Sequence, residues 1–288
     1  MYSLTLKNNN RIKRIRTTGE EGIKPNENLS FHFVLDGNED IVTNNYKVSV
    51  FPDSFFCLNP GTPYTSVINS PAPANVISLN YDQQFIRDFL AGWQVPSRQL
   101  LDNHTQYAGL SNKKFMETLY PFKGDIKYTV LHLDTILCEH GVDEMLVDEY
   151  LYHILLNYHE LYYKEVFARE EKLDICNRAT RNEIYRRLNM AKDYLYSNYN
   201  LAITIEEVAL HACLSVTHLR RMFKQAYNMS PYQFLLQIRL RRAKMFLRST
   251  DYPVNEIVNI IGFESAASFG RLFRQQFAVT PMHYRNSA

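Results

Sequence analysis

The last hundred residues of this 288-residue chain contain one pattern twice, at a separation of 50 positions. Residues 221–227 read RMFKQAY and residues 271–277 read RLFRQQF, and the pairs Ser230-Pro231 and Thr280-Pro281 follow them. In each copy the pattern predicts two short helices joined by a tight turn, which is helix-turn-helix geometry. A duplicated helical unit with basic side chains indicates binding to a repeating polyanion, and we expect that polyanion to be double-stranded DNA.

The two parts of the chain differ in charge. Residues 181–288 contain 15 Lys/Arg and 7 Asp/Glu, whereas residues 1–180 contain 17 and 23, so the net charges are +8 and −6. The whole-chain value of +2 hides this difference. Because nucleic-acid affinity comes largely from neutralised phosphates, the carboxy-terminal part is the candidate for DNA binding.

Length and composition predict two domains. A chain of 288 residues with 45% apolar side chains can build two cores. We expect a regulatory domain at 1–172, a charge-rich linker at 173–181 and a DNA-binding domain at 182–288. The four cysteines are too scattered for a metal site or a disulfide scaffold, so we expect no cofactor, no metal and a reducing compartment. Without an apolar run for a signal peptide or a membrane span, we expect a cytoplasmic protein with no membrane contact.

The amino-terminal part has the pattern of an α+β domain. Short apolar runs that end at turn residues predict strands at 30–35, 41–43, 46–58 (interrupted at 52–53), 64–68 and 75–79. This spacing is typical of a small antiparallel barrel or sandwich. The period then becomes helical at 85–90, and longer helices are predicted at 112–139 and 143–171. The basic residues at 7–16 are open to two interpretations: an arm that closes over a ligand, or a solvated tail or edge strand.

The carboxy-terminal part predicts helices throughout. An amphipathic helix is expected at 182–199, and Thr204 with Glu207 forms a capping-box pattern. A connecting helix at 231–248 would span about 27 Å, close to the roughly 34 Å between successive major-groove faces. We expect Leu240, Ala243 and Leu247 to be its buried stripe. The cations predicted to surround that stripe are Arg239, Arg241, Arg242, Lys244 and Arg248.

The second helix of each unit has an apolar face and a polar face. Leu219, Met222 and Phe223 in the first copy, and Phe269, Leu272 and Phe273 in the second, have the spacing that pins a helix to its domain. In the major groove arginine can bind guanine through two hydrogen bonds, and small residues allow close approach to thymine methyl groups. The alternative for Arg221 and Arg271 is an ion pair inside the domain. The candidate DNA-binding residues are Thr217, Arg220, Arg221, Lys224, Ala267, Ser268, Gly270, Arg271 and Arg274.

At these residues the sequence resembles the AraC/XylS family of bacterial transcription regulators. The resemblance covers about 203–285, and its motifs include LRRMFK at 219–224 and IGFES at 261–265. It implies a seven-helix domain with two helix-turn-helix units, base contacts from both second helices, a function more often as an activator, and RNA polymerase as a partner. The usual glycine that follows each second helix is replaced by Asn228 and Ala278. Alanine tolerates a left-handed backbone less well than asparagine does, so we expect the last turn to be strained or differently wound.

The amino-terminal part resembles the cupin-like, sugar-sensing regulatory domain of the same family, which implies a small-molecule effector and a homodimer. The clustered histidine pair of metal-binding cupins is missing, so we expect no enzyme activity. A cluster of aromatic residues in the predicted strands is either barrel core or a ligand site; it consists of Phe31, Phe33, Tyr46, Phe55, Phe56 and Tyr64. The candidate ligand-binding residues are His32, Phe33, Tyr46, Phe56 and Tyr64. The helix predicted at 143–171 has a row of apolar side chains, which either packs inside the domain or forms a dimer interface. The candidate dimerisation residues are Leu146, Tyr150, Ile154, Leu155, Tyr158 and Leu161.

Two alternative functions remain at this point. The amino-terminal domain of a DNA-binding regulator could bind a protein partner instead of a metabolite. A DNA repair methyltransferase with this kind of DNA-binding half would need a four-cysteine metal cluster, and the wide separation of the cysteines disfavours it.

Overall fold

A computed structural model describes residues 2–43, 46–94, 114–138 and 142–287. The chain divides into two compact units, Met1–Ala168 and Arg169–Ala288. The first unit combines an antiparallel sheet with helices, and the second is entirely helical, so the predicted α+β fold class is confirmed. Among the described residues, no helix is both long enough and apolar enough to cross a membrane.

The strands of the first unit form one antiparallel sheet. They are β1 (Tyr2–Thr5), β2 (Arg11–Lys24), β3 (Leu29–Asp36), β4 (Glu39–Thr43), β5 (Lys47–Val50), β6 (Ser54–Leu58), β7 (Tyr64–Tyr81) and β8 (Leu119–Pro121). The order of paired strands is β1-β2-β7-β3-β6-β8, and β4 pairs with both β5 and β7. The strands predicted between 30 and 79 are therefore confirmed.

The long strand β7 makes the sheet fold back on itself into a nearly closed barrel. Strand β2 pairs along one edge of β7, while β3 and β4 pair with different halves of it. The turn between β3 and β4 depends on Gly37, which has a φ of 77°. A Cβ atom there would lie 2.8 Å from the Cβ of Ala74. The tight turn and the close approach of β7 both require glycine at this position.

Residues 7–16 are neither an arm nor an edge strand. Most of them belong to β2, which pairs with β1 on one side and β7 on the other. The guanidinium of Arg14 forms an ion pair with Asp134, with 2.6 Å between Nε and Oδ1. The basic residues are thus held in the sheet by backbone pairing and by a carboxylate, which corrects the sequence-based interpretation.

The described residues of the first unit also form the helices α1 (Gln83–Gln94), α2 (Gly124–Ile136) and α3 (Glu144–Tyr162). Helix α3 is continued by a π-helical turn, Tyr163–Phe167, and by a short helical turn, Ala168–Glu170, at the boundary of the two units. The helix predicted at 143–171 is confirmed. The helix predicted at 112–139 is wrong at its start, because residues 119–121 pair with β6 as a strand; residue 112 itself lies outside the described residues. Helix α3 covers the sheet through Tyr158, whose ring centroid lies 4.5 Å from that of Phe31.

Beyond the short turn Ala168–Glu170 at its boundary, the second unit contains seven helices among its described residues, as the family resemblance implies. They are α4 (Arg178–Ser197), α5 (Ile205–His211), α6 (Val216–Tyr227), α7 (Pro231–Ser249), α8 (Val254–Ile260), α9 (Ala266–Phe277) and α10 (Pro281–Asn286). Helix α4 begins inside the segment predicted as a linker, because the Asn177 side chain caps it. The capping box of Thr204 and Glu207 is confirmed, with both of its hydrogen bonds formed.

Candidate nucleic-acid interface

Helix α6 is fixed by one apolar face and presents the opposite face to solvent. Its N-terminus is capped by the Ser215 hydroxyl, which accepts a hydrogen bond from the backbone of His218. The predicted anchors Leu219, Met222 and Phe223 are buried. The side chains on the other face are all exposed: Thr217, Arg220, Arg221 and Lys224.

Helix α9 repeats this arrangement with smaller side chains. Ser265 caps it, Phe269 and Phe273 are buried, and the third predicted anchor, Leu272, is half-buried. On the outer face Ala267, Ser268, Arg271 and Arg274 are exposed and Gly270 is half-buried. An open groove of about 860 Å³ runs beside this face; its lining includes Gly270, Arg271 and Arg274, with Thr280 and Pro281 from the start of α10.

The candidate arginines are not used inside the fold. Arg221 and Arg271 form no ion pair with any described residue and stand exposed at equivalent positions of the repeat. The alternative that each is held in an internal ion pair therefore gains no support from the geometry. An unpaired guanidinium on the outer face of a helix can reach base edges or phosphates of a duplex.

The turns of the two units differ by one residue. In the first unit Cys213 adopts the left-handed conformation, with φ 52°, two residues before the cap Ser215. In the second, Gly262 adopts it with φ 77°, three residues before the cap Ser265. A Cβ atom at Gly262 would lie 2.6 Å from the backbone oxygen of Asn200. Glycine at 262 therefore allows the second turn to pack directly on the loop after α4.

The connecting helix α7 has a buried stripe as predicted, but two of its cations are buried as well. Leu240, Ala243 and Leu247 are buried, and so are Arg239 and Arg242, which corrects their predicted place outside the stripe. Arg239 donates hydrogen bonds of 2.7 Å to the carbonyls of Tyr199 and Leu201. Arg242 lies over the rings of two tyrosines of the same region, at 5.3–5.4 Å.

These two arginines therefore fasten the connecting helix to α4 and to the loop that follows it. Burial lowers the pKa of Arg239, but the carbonyl oxygens that it binds suit a charged guanidinium. Helix α7 has 19 residues, which corresponds to about 28 Å of length.

Helices α6 and α9 are each followed by a residue in the left-handed backbone conformation. Asn228 has φ 57° and ψ 20°, and Ala278 has φ 62° and ψ 2°. The expectation of a differently wound last turn is therefore wrong, and alanine adopts the conformation that asparagine adopts. For most residues other than glycine, asparagine and aspartate, the left-handed backbone conformation costs about 1–2 kcal/mol. The strain that the sequence predicts is therefore located at Ala278.

The five candidate ligand residues separate onto different parts of the barrel. Side chains alternate between the two faces of a strand, and contacts identify which face is which. Phe33 lies on the face covered by helices, where its ring stacks 4.8 Å from Phe55. Tyr46 is half-buried and donates its hydroxyl to the carbonyl of Glu117. His32, Phe56 and Tyr64 remain as candidates on or near the inner face.

The inner face carries a buried polar cluster that consists of His32, Glu39, Ser66 and Ser78. The Nδ1 atom of His32 lies 3.2 Å from the Glu39 carboxylate, and Ser66 donates to the other carboxylate oxygen at 2.5 Å. Ser78 lies 3.4 Å from the same nitrogen, and the Tyr64 ring meets the imidazole edge to face at 5.0 Å. Of this cluster the sequence pattern had singled out His32 alone.

The cluster keeps a buried charge and leaves one buried nitrogen without a partner. Burial alone would raise the pKa of Glu39, but His32, Ser66 and the charge of Lys24 lower it below its usual value of 4.5. The carboxylate is thus ionised near neutral pH. The other imidazole nitrogen, Nε2 of His32, is buried and has no hydrogen-bond partner among the described residues. A bound molecule could satisfy that nitrogen, since buried polar atoms are rarely left unpaired.

The candidate dimer residues also divide into two sets. Ile154, Leu155 and Tyr158 are at most 1% exposed, because they pack inside the first unit, so they are unavailable to a partner. Leu146 is 37% exposed, and Tyr150 and Leu161 are half-buried. Other large apolar side chains on α2 and α3 are more exposed than these: Tyr128, Leu131, Met145 and Tyr152.

Comparisons with known proteins relate the carboxy-terminal unit to helix-turn-helix domains and the chain to transcription regulators. Residues 208–287 match a family described as a helix-turn-helix domain. The raffinose operon transcriptional regulatory protein RafR of Pediococcus pentosaceus is 22% identical over 98% of this chain and 97% of its own length. The HTH-type transcriptional regulator ArgR of Pseudomonas aeruginosa is 36% identical over 35% of this chain and 30% of its own length.

Among solved structures, the C-terminal domain of AraT, a response regulator from Geobacillus stearothermophilus, is similar to 35% of this chain. The match covers 85% of that domain at 29% identity, with a TM-score of 0.34.

Proposed function

Because this chain is an AraC/XylS-type transcription regulator with a carboxy-terminal helix-turn-helix domain, we propose that it binds two adjacent half-sites of double-stranded DNA under the control of a small-molecule effector. The observation that carries the proposal is the repeated exposed face of α6 and α9, where Arg221 and Arg271 occupy equivalent positions and form no ion pair with the residues that the structure describes. Each helix would enter the major groove, and α7 would set their separation.

We assign base contacts and backbone contacts to different side chains. Thr217, Arg220 and Arg221 on α6, and Ala267, Ser268 and Arg271 on α9, are the base-reading candidates. Lys224 and Arg274 lie a turn further along each helix and would neutralise phosphates. Gly270 would allow the backbone of α9 to approach the bases closely.

The salt dependence of binding tests this assignment. The five outer-face cations are Arg220, Arg221, Lys224, Arg271 and Arg274. If each displaces one counterion, the logarithm of the binding constant should fall with the logarithm of salt concentration with a slope of about −4 to −5. The assay is fluorescence anisotropy of the full chain on DNA from upstream of its own coding sequence. Binding that does not respond to salt, or no binding at all, would refute the proposal.

We place the effector at the inner face of the barrel, against the unpartnered Nε2 of His32. The name of RafR refers to a raffinose operon, so carbohydrates are the first class to test, before organic acids and amines. The experiment is a thermal-shift screen of the full chain, since a ligand that binds the folded state raises its unfolding temperature. A hit that is lost in the His32→Ala variant would support this site, and a hit that survives it would move the effector elsewhere.

A homodimer and contact with RNA polymerase complete the proposal. Tyr128, Leu131, Met145 and Tyr152 give α2 and α3 an exposed apolar surface, which supports a dimer interface at these helices. Sedimentation of the full chain and of Leu131→Glu tests this interface. The same surface would also suit a different protein, and a monomeric wild-type chain would favour that alternative. Activation through RNA polymerase rests on the family resemblance alone.

The methyltransferase alternative gains no support. All four cysteines lie in described residues and are free, and Cys57 is buried where it accepts a hydrogen bond from the Tyr158 hydroxyl. Among the described residues, no three His, Cys, Asp or Glu side chains group as a metal ion would require.

A further inference from the structure

The segment at the start of the second unit packs onto helix α6. We call residues 169–177 the strap; they follow directly after Ala168, the last residue of the first unit. Within the second unit, the strap is fixed at several points. Leu173 is buried, and the carboxylate of Glu170 lies 3.8 Å from the guanidinium of Arg181 on α4. The linker predicted at 173–181 overlaps the strap, whereas in the structure the strap packs within the second unit.

Two strap contacts reach the last turn of α6. The guanidinium of Arg169 lies over the ring of Tyr227, 5.0 Å from its centroid. The backbone N–H of Asp174 donates to the side-chain oxygen of Gln225 at 3.4 Å. Tyr227 is itself a central residue of the unit, because its hydroxyl donates to Asn189 on α4 and its ring packs on Phe223. The strap therefore holds the end of α6 whose outer face carries Lys224.

The internal repeat supplies a built-in comparison. Phe277 of α9 is equivalent to Tyr227, and a cation also covers its ring: the ammonium of Lys244 lies 5.1 Å from its centroid. Lys244 belongs to α7, inside the DNA-binding unit. The same cation–π position is thus filled by the connecting helix α7 at α9 and by the first residue of the strap at α6. The equivalent of Gln225 is Gln275, which is exposed and lines the groove beside α9.

We propose that the strap is the connection through which the amino-terminal unit controls α6 and not α9, with Arg169 and Gln225 as positioning residues. The inference rests on the proposed function, because it assigns a route for effector control. A displacement at Ala168 must be taken up by the strap contacts, of which the cation–π contact and the 3.4 Å hydrogen bond are weak. Among the described residues, helix α9 makes no contact with the strap, so α9 would stay bound to its half-site.

Hydrogen exchange of the full chain tests the contacts without DNA. In Arg169→Ala we expect the amides of 216–227 to exchange about threefold to fivefold faster, with those of 266–277 unchanged. Lys244→Ala is the matched control and should show the reverse pattern. Arg169→Lys keeps a cation and should exchange like the wild type. Equal effects of Arg169→Ala on both helices, or no effect, would overturn the assignment of Arg169.

An insertion separates control of α6 from simple stabilisation. Gly-Ser-Gly-Ser placed between Ala168 and Arg169 leaves the side chains of the strap contacts unchanged, and it interrupts the helical turn Ala168–Glu170 that joins the first unit to them. The test is hydroxyl-radical footprinting on DNA from upstream of the coding sequence. The half-site of α6 is the one whose protection is lost in Arg221→Ala, and the half-site of α9 is the one whose protection is lost in Arg271→Ala. The insertion should change protection of the Arg221 half-site about threefold relative to the other. An unchanged ratio would refute control through the strap.

The proposed function and the strap can fail separately. If the wild-type chain gives no footprint, DNA binding itself is refuted, and so is control through the strap, while hydrogen exchange still decides whether Arg169 holds α6. If the wild type gives two protected half-sites and the insertion leaves their ratio unchanged, DNA binding stands and the strap is only structural.

Discussion

Gly270 lies in the middle of α9, where no contact with a described residue requires glycine. A Cβ atom added there would meet no other atom within 4 Å, and the residue has no left-handed backbone. Glycine inside a helix costs about 0.5–1 kcal/mol relative to alanine. We therefore expect Gly270→Ala to raise the free energy of unfolding by about 0.5–1 kcal/mol.

The same change should weaken DNA binding. If the backbone of α9 lies against the duplex at Gly270, an added methyl group forces the helix away from the base edges. Loss of one well-formed base contact costs about 1–3 kcal/mol, so affinity for the specific site should fall about fivefold or more. Urea unfolding followed by circular dichroism measures the stability, and fluorescence anisotropy measures the binding.

Gln276→Ala is the control, because Gln276 is exposed on α9 but is not among the residues of the groove. That variant should leave DNA affinity unchanged. A Gly270→Ala protein that is more stable and binds DNA as tightly as the wild type would refute the close approach of α9. A Gly270→Ala protein that is less stable would refute the stability argument.

Three further predictions follow from backbone geometry and from the buried cluster. Gly262→Ala should lower the free energy of unfolding by about 2–4 kcal/mol, because it combines a left-handed φ with a backbone clash at Asn200, and urea unfolding checks this. Ala278→Gly should raise the unfolding temperature through relief of up to about 1 kcal/mol of strain, whereas Asn228→Gly should change it less; equal shifts would contradict the assigned strain. Since the pKa of Glu39 is lower in the folded state than its usual value of 4.5, its contribution to stability is complete above that pH and is lost as the pH falls below it. Glu39→Gln should therefore flatten the loss of stability as the pH falls below 4.5, and a wild-type pH profile in the variant would show that the acid sensitivity arises elsewhere.

The sequence predicted the carboxy-terminal unit well because its information is local. Caps and helical periods act between residues within a turn or two of one another, and the capping box of Thr204 and Glu207 forms as its pattern predicts. What failed there was the position of Arg239 and Arg242. Their partners are carbonyls and rings about 40 residues away, and a charged residue without a visible partner is expected at the surface.

In the amino-terminal unit the errors came from pairing between distant strands. The charged strand β2 did not have the pattern of a buried strand, because Arg14 is matched by Asp134, 120 residues later. The inner polar cluster joins His32 to Glu39, Ser66 and Ser78, and only the register of β3, β4 and β7 brings them together. Alternation along β3 could have shown that His32 and Phe33 face opposite sides.

The central claim is that α6 and α9 read adjacent half-sites through Arg221 and Arg271. The most direct measurement compares the wild type, Arg221→Ala and Arg271→Ala on the specific site and on random DNA at one salt concentration. We predict that each variant loses about 1–3 kcal/mol of binding free energy on the specific site and much less on random DNA. Equal losses on both DNAs would make the arginines backbone anchors, and no loss on the specific site would contradict the account.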